Sequence, residues 1–373
     1  MTICVFSRGR KPRNRLRIET GDKDAAREEL DAILASDALR GLPSSVNLFR
    51  GLRMLAAPDF HDFTTFALRK PVLFTFTDDE GQFPENSPDS PEEKAWFDRT
   101  LGRFGQREQR LDSDSTYILN YRTPFRLLEQ AALDSRLPAS LRRELLLTAF
   151  TRGLMLDKDL TAIAKALADA DSAFEPLTRA YLDASSIDDR RFAAAFLILR
   201  HPEARPYLAS GIPRQTPPGK IDNYRDNWWC PMDLPVELDS FANMGGVYVV
   251  RAAAPRRAPV PEFLSSEEAG EAALEIAALR RAGNATDFLG RIVLKYASSD
   301  AAGHRDPRIP EALHRLVQSG HFGCQDTDTW KTTRTAFREL HLRYPGSEWT
   351  AKTKSWVRER SIRERMLPPR VNP

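Results

Sequence analysis

The chain has 373 residues, 41% of them hydrophobic, enough to bury a sizeable core in one large domain or in two to three smaller ones. Its formal charge of +3 is nearly balanced at this length, which excludes the strong basic excess of a typical nucleic-acid binder. No run approaches the ~18 consecutive apolar residues that a membrane-spanning helix needs.

Residues 1–20 read as a basic, weakly structured tail. Six basic residues between Arg8 and Arg17 suit a solvated segment, with contact to phosphate or anionic lipid as the alternative. The stretch lacks the apolar core of a secretory signal. The chain as written is therefore expected in the cytoplasm. A shortened form of a longer exported, periplasmic protein is the other reading.

The spacing of Ala26, Leu30, Ile33 and Leu34 predicts a helix over about Lys23–Leu39. A second helix is expected after Ser44-Ser45, which can cap it, and carries Val46, Leu48, Phe49, Leu52, Met54 and Leu55. The period then changes. Pro71 to Phe76 is short, apolar and rich in β-formers, as a strand would be. Asp78 to Glu93 is acidic and proline-rich and reads as an exposed loop. It holds oxygen ligands for calcium, but not in the order of an EF-hand loop.

From Glu92 to Arg200 the pattern is almost continuously helical. Thr123-Pro124 reads as an N-cap followed by proline at the first helical position. Leu141–Leu156, Asp157–Ala170, Ala173–Ala184 and Asp188–Leu199 follow with short connections, which imply antiparallel neighbours. Phe192 to Leu199 is apolar all round, so that helix should be central. His201-Pro202 ends the block. Residues 202–261 are proline-dense and contain the aromatic cluster Tyr224-Arg225-Asp226-Asn227-Trp228-Trp229-Cys230, with a strand expected at Val247–Val250. The tryptophans either anchor this long loop onto the helices or line a groove.

After the loop, Ser265 and Glu268 match a capping box. A helix with Leu274, Ala277 and Ala278 leads to Gly283, which suits a helix stop. Asn284 then caps the next helix. Asn284-Ala285-Thr286 also fits a glycosylation acceptor, but the cap explains it. Near the C-terminus, Trp330, Ala336, Phe337, Leu340 and Tyr344 fall near one face, read as the buried stripe, of a helix that Pro345-Gly346 stops, and Ser347 caps its successor. The segment AFRELHLRYPGSEWTAKTKSWV resembles the helix–YPxS–helix step of tetratricopeptide-like repeat proteins of the bacterial envelope, over roughly fifty residues, although no clean 34-residue period is present. More loosely, the DNWWC, HFGC and YPGSEW segments resemble a group of exported bacterial proteins. These likenesses imply helical hairpins and name no reaction.

Motifs for catalysis are missing: there is no GxSxG, P-loop, GxGxxG, HExxH or CxxC. Asp226 beside the tryptophans is the acid best placed for a glycosidase cleft, without a second identifiable carboxylate. His304, His314, His321 and Cys324 are zinc-ligand types, but only His321 and Cys324 have ligand spacing, and His314 reads as a half-buried, hydrogen-bonded side chain. Cys230 and Cys324 are candidates for a disulfide, which requires an oxidising compartment.

The resulting expectation is a mainly α protein of stacked antiparallel helical hairpins, an α-solenoid or irregular bundle, with a long Pro/aromatic-rich loop and minor β. Its parts are a tail (1–20), a helical N-terminal domain (21–201), the loop region (202–261), C-terminal hairpins (262–357) and a basic tail (358–373). The expected function is a protein–protein interaction or scaffold module of the bacterial envelope. The alternative is a hydrolase or carbohydrate-binding protein using Tyr224, Asp226, Trp228 and Trp229. A protein partner is implied; a cofactor, nucleic acid and a membrane span are not.

Overall fold

The computed structural model describes residues 17–18, 20–39, 43–69, 110–111, 113–208, 228–229, 261–299, 306–321 and 327–356. These residues are mainly α-helical. Extended pairing among them is confined to β1 (Leu68–Arg69) and β2 (Arg110–Leu111), antiparallel with Leu68 opposite Leu111. The strands expected at 71–76 and 247–250, the acidic segment 78–93 and residues 92–109 of the expected helical stretch lie outside the described residues. The chain divides into two compact units. The first comprises Met1–Leu145, Tyr207–Pro213 and Glu237–Leu274; the second comprises Leu146–Pro206, Arg214–Val236 and Glu275–Pro373.

In the first unit, α1 (Lys23–Ala35) turns Ala26, Leu30 and Ile33 to one face, and α2 (Pro43–Leu55) answers with Phe49 and Leu52. Each such large aliphatic or aromatic side chain contributes about 1.5–3 kcal/mol on burial. The guanidinium of Arg53 is buried between these helices and α3 (Phe60–Ala67), donating to Asp31 at 2.8 Å and Asp62 at 2.6 Å. Two carboxylates offset the cost of burying that cation. Phe60, Phe63 and Phe263 form a mutual ring contact at 5.0–5.9 Å. After α4 (Ser113–Tyr121) and α5 (Phe125–Leu133), the buried Asn120 amide holds residue 208 by both backbone groups. Its Nδ2 donates to the Leu208 carbonyl at 2.9 Å, and its Oδ1 accepts from the Leu208 N–H at 2.8 Å. Helices α6 (Ala139–Met155) and α10 (Ser266–Ala282) each have residues in both units. The expected capping box opens α10: the Ser265 N–H donates to Glu268 at 2.7 Å, and the Glu268 N–H donates to the Ser265 hydroxyl at 3.1 Å.

The second unit contains α7 (Thr161–Ala170), α8 (Glu175–Leu182), α9 (Ile187–Arg200), α11 (Ala285–Ser299), α12 (Ile309–Ser319), α13 (Thr327–Arg343) and the short α14 (Glu348–Lys352). Phe192 to Leu199 are all at most 2% exposed, because α9 packs against α8, α11 and α12. Gly283, at φ +87°, ends α10, and Asn284 caps α11 by accepting from the Asp287 N–H at 2.9 Å. Ser347 caps α14 through the Trp349 N–H at 3.2 Å. Helix α13 approaches α11 and the end of α12 closely. A Cβ on Gly290 would lie 2.2 Å from the Thr332 Cγ2, and one on Gly320 2.0 Å from the Thr333 Cγ2.

Several local details differ from expectation, each for a physical reason. Helix α2 starts at Pro43, so Ser44 and Ser45 lie in its first turn rather than before it. The Thr123 hydroxyl donates to the Ile118 carbonyl at 3.0 Å, closing α4, and Pro124 itself is the N-cap of α5. Asp157, at φ +54°, sits in the turn after α6. Asp159 accepts from the Thr161 N–H at 3.1 Å at the start of α7. Trp330 is 40% exposed instead of buried. The close approach to Gly290 and Gly320 leaves no room for an indole, and Thr329 and Thr333 take the inner face with Ala336 and Leu340. Leu274 is 75% exposed, and Ala272, Ile276 and Leu279 form the buried row of α10.

Candidate docking groove

One groove of about 480 Å³ in the second unit is built from two helices. Helix α9 contributes Ile187, Asp188 and Arg191 from its first turns. Helix α11 contributes Phe288, Arg291, Ile292, Lys295 and Tyr296. The α11 positions follow at i, i+3, i+4, i+7 and i+8, so a single helical stripe supplies one wall. Phe288 and Ile292 are buried at its base, while Ile187 stands 74% exposed at the edge.

The groove is apolar at the base and cationic at the rim. Lys295 donates to both oxygens of Asp188, at 2.8 and 3.1 Å, in an exposed pair of little energetic worth. Arg191 is ion-paired with Asp157. Arg291 donates to the Ala282 carbonyl at 2.6 Å and has no ion-pair partner among the described residues. Tyr296 closes one end. Its ring stacks on Phe192 at 4.1 Å, and its hydroxyl donates to Asp189 at 2.9 Å. Burial, and then this bond to a carboxylate, push the Tyr296 phenol up. The Ser186 hydroxyl and Tyr296 hold the Asp189 carboxyl below its usual range. Arg308 grips Asp306 with Nε at 3.0 Å and Nη2 at 2.6 Å and lies 5.2 Å from the Phe192 ring centre. The tyrosine is thus a fixed wall with its proton committed.

Of the residues expected to form a site from sequence, Trp228 and Trp229 lie elsewhere. Trp228 and Trp229 are 6% and 1% exposed, with ring centres 5.3 Å apart. The Trp228 Nε1–H donates to Thr286 at 2.8 Å, and the Trp229 carbonyl accepts from the Ala285 N–H at 3.2 Å. Both therefore anchor on the first turn of α11, and neither is among the residues that line the groove. Tyr224 and Asp226 lie outside the described residues, as do His304, Cys230 and Cys324, and with the two cysteines the expected disulfide. His321 is half-buried just after α12. Among the described residues, no three His, Cys, Asp or Glu side chains are grouped to hold a metal ion.

His314 contacts the end of α14: its Nδ1 lies 2.6 Å from the Thr353 hydroxyl, which itself donates to the Trp349 carbonyl at 2.7 Å. The Nδ1 therefore carries the hydrogen in that bond. Burial, followed by the nearby charges of Arg315 and Lys352, lowers the His314 pKa from 6.5 to about 4. A depressed histidine pKa means that the unfolded chain binds the proton first. Its contribution is full above pH 6.5 and declines as pH falls toward 4. Allowing for residual solvent access, the wild type should lose about 2 kcal/mol more than His314→Gln between pH 7.5 and about 4.5. Urea unfolding at the two pH values measures this; equal losses in both proteins would overturn it.

The groove was the part sequence reasoning missed. Asp188 and Lys295 are 107 positions apart, and no local period joins them. Comparison with protein-family models, with curated proteins and with solved structures finds no match.

Proposed function

We propose that the chain is an α-helical protein–protein interaction or scaffold module, and that the α9–α11 groove is a docking surface. The observation that carries this reading is the groove's make-up: an apolar base, the exposed Ile187 and the cationic rim of Arg191, Arg291 and Lys295. Among the lining residues the acid is Asp188, and Lys295 engages it. A glycosidase-like cleft would instead need two converging carboxylates beside an exposed aromatic. The burial of Trp228 and Trp229 supports the interaction reading over the hydrolase or carbohydrate-binding one. A bacterial-envelope setting is supported by the likeness of the helix–Tyr344-Pro345-Gly346-Ser347–helix step to envelope repeat proteins.

The test is a quantitative pull-down of tagged protein from its native host, wild type against Ile187→Asp/Arg291→Glu. Both side chains are accessible, so folding should be retained. Recovery of a specific partner is expected to fall roughly tenfold or more, as for an interface centre, while the melting temperature stays unchanged. Undiminished recovery of every partner would sink the groove as the docking surface.

A further inference from the structure

Helix α13 places Thr329, Thr333, Ala336 and Leu340 inward. On its outer side Trp330, Arg334, Arg338 and Leu342 succeed one another at i, i+4, i+8 and i+12, and all four are exposed. At 1.5 Å per residue the row is about 18 Å long. Its charges are only partly neutralised. Lys331 is paired with Asp328 at 3.0 Å and Arg343 with Glu339 at 3.5 Å. The side chains of Arg334 and Arg338 enter neither an ion pair nor a hydrogen bond among the described residues, although carboxylates lie on the same helix. Trp330 is not a loose surface ring. It meets Trp356 edge-to-face at 5.6 Å, so its orientation is set before any partner arrives.

We infer that this row is a docking surface for an acidic, amphipathic segment of a partner protein, with carboxylates one helical turn apart on Arg334 and Arg338 and apolar side chains on Trp330 and Leu342. Tryptophan and arginine are the residue types that dominate interface energetics. A guanidinium pairs with a carboxylate by two parallel hydrogen bonds, which gives register as well as affinity. The same chemistry meets nucleic-acid phosphates less well. The net charge is only +3, and the row ends on an aliphatic side chain. The inference rests on the interaction-module reading and names one partner class for it, through a surface separate from the groove.

The experiment is fluorescence anisotropy of the full chain with a labelled 18-residue helical peptide. The peptide carries glutamates one turn apart and leucines at the flanking turns; a scrambled peptide and a duplex DNA of similar charge serve as comparators. Binding at about 10 μM or tighter is expected in low salt, weakening as salt rises. The scrambled peptide, Arg334→Glu/Arg338→Glu and Trp330→Ala should each reduce affinity roughly tenfold or more. Ile187→Asp/Arg291→Glu should leave it unchanged. Equal binding by the charge-reversed variant, no binding by wild type, or tighter binding of the DNA would overturn the inference. If the peptide fails while the groove variant still loses its partner, only this inference falls. If the peptide binds and the groove variant keeps its partners, the row stands and the groove assignment falls.

Discussion

Gly320→Ala should destabilise the protein by about 2–3 kcal/mol, the upper part of the range for overpacking a close contact. Gly320 has φ −68° and ψ −5°, so an alanine meets no backbone objection. At such a position glycine-to-alanine changes ordinarily stabilise by roughly 0.4–1 kcal/mol. The expected loss therefore isolates the steric term: the new Cβ would lie 2.0 Å from the Thr333 Cγ2. Thr333 cannot simply turn away. It is β-branched, and its hydroxyl donates to the Thr329 carbonyl at 3.0 Å and the Trp330 carbonyl at 3.2 Å. Thr333→Ser deletes the clashing methyl and keeps the hydroxyl. The double variant should recover most of the loss in denaturant unfolding. A stable single variant, or a double variant no better than the single, would mean that α12 and α13 do not approach as described. Gly290→Ala with Thr332→Ser offers the parallel cycle on α11, where the approach is 2.2 Å.

The second large effect is expected at Asp287, in the first turn of α11 and 7% exposed. Its Oδ2 accepts from the Asn284 amide at 2.7 Å, and its Oδ1 accepts from the Thr332 hydroxyl at 3.0 Å. The Asn284 amide also donates to Thr329 at 2.9 Å. One carboxylate thus joins the cap of α11 to the inner face of α13. Asp287→Ala would strip partners from buried donors, at about 1–3 kcal/mol each, and would remove a negative charge from the positive end of the helix. A total loss of about 3 kcal/mol is expected. Asp287→Asn, which keeps the shape and one acceptor, should lose about half as much. Denaturation midpoints at unchanged slope would measure both. An alanine variant within about 1 kcal/mol of wild type would show that the network is not a joint between the two helices.

Chain punctuation was the most legible part of the fold. Ser265 with Glu268, Gly283, Asn284 and Ser347 all work where their spacing put them, because capping is settled within one helical turn. The all-round apolar run Phe192–Leu199 was equally readable, since no arrangement leaves a wet face to such a helix. The choice of inner face failed where tertiary distance overrode side-chain type. On α13, threonines displace Trp330 from the interior because glycines on the neighbouring elements draw the backbones together. Trp228-Trp229 was legible as a dense aromatic pair. Its burial depends on hydrogen bonds to Thr286 and Ala285, more than fifty residues later. The groove was invisible for the same reason: three of its lining residues come from α9 and five from α11.

The position of Asn284 has a chemical consequence in time. Its side chain is 3% exposed, with the amide nitrogen donating to both Asp287 and Thr329. A glycan added to Asn284-Ala285-Thr286, or hydrolysis of its amide to an acid, cannot occur while α11 is seated. An acid formed there would face Asp287 and keep the first turn from closing again. Either scar on Asn284 would therefore act as a recorder, marking molecules in which this joint had opened before or after folding.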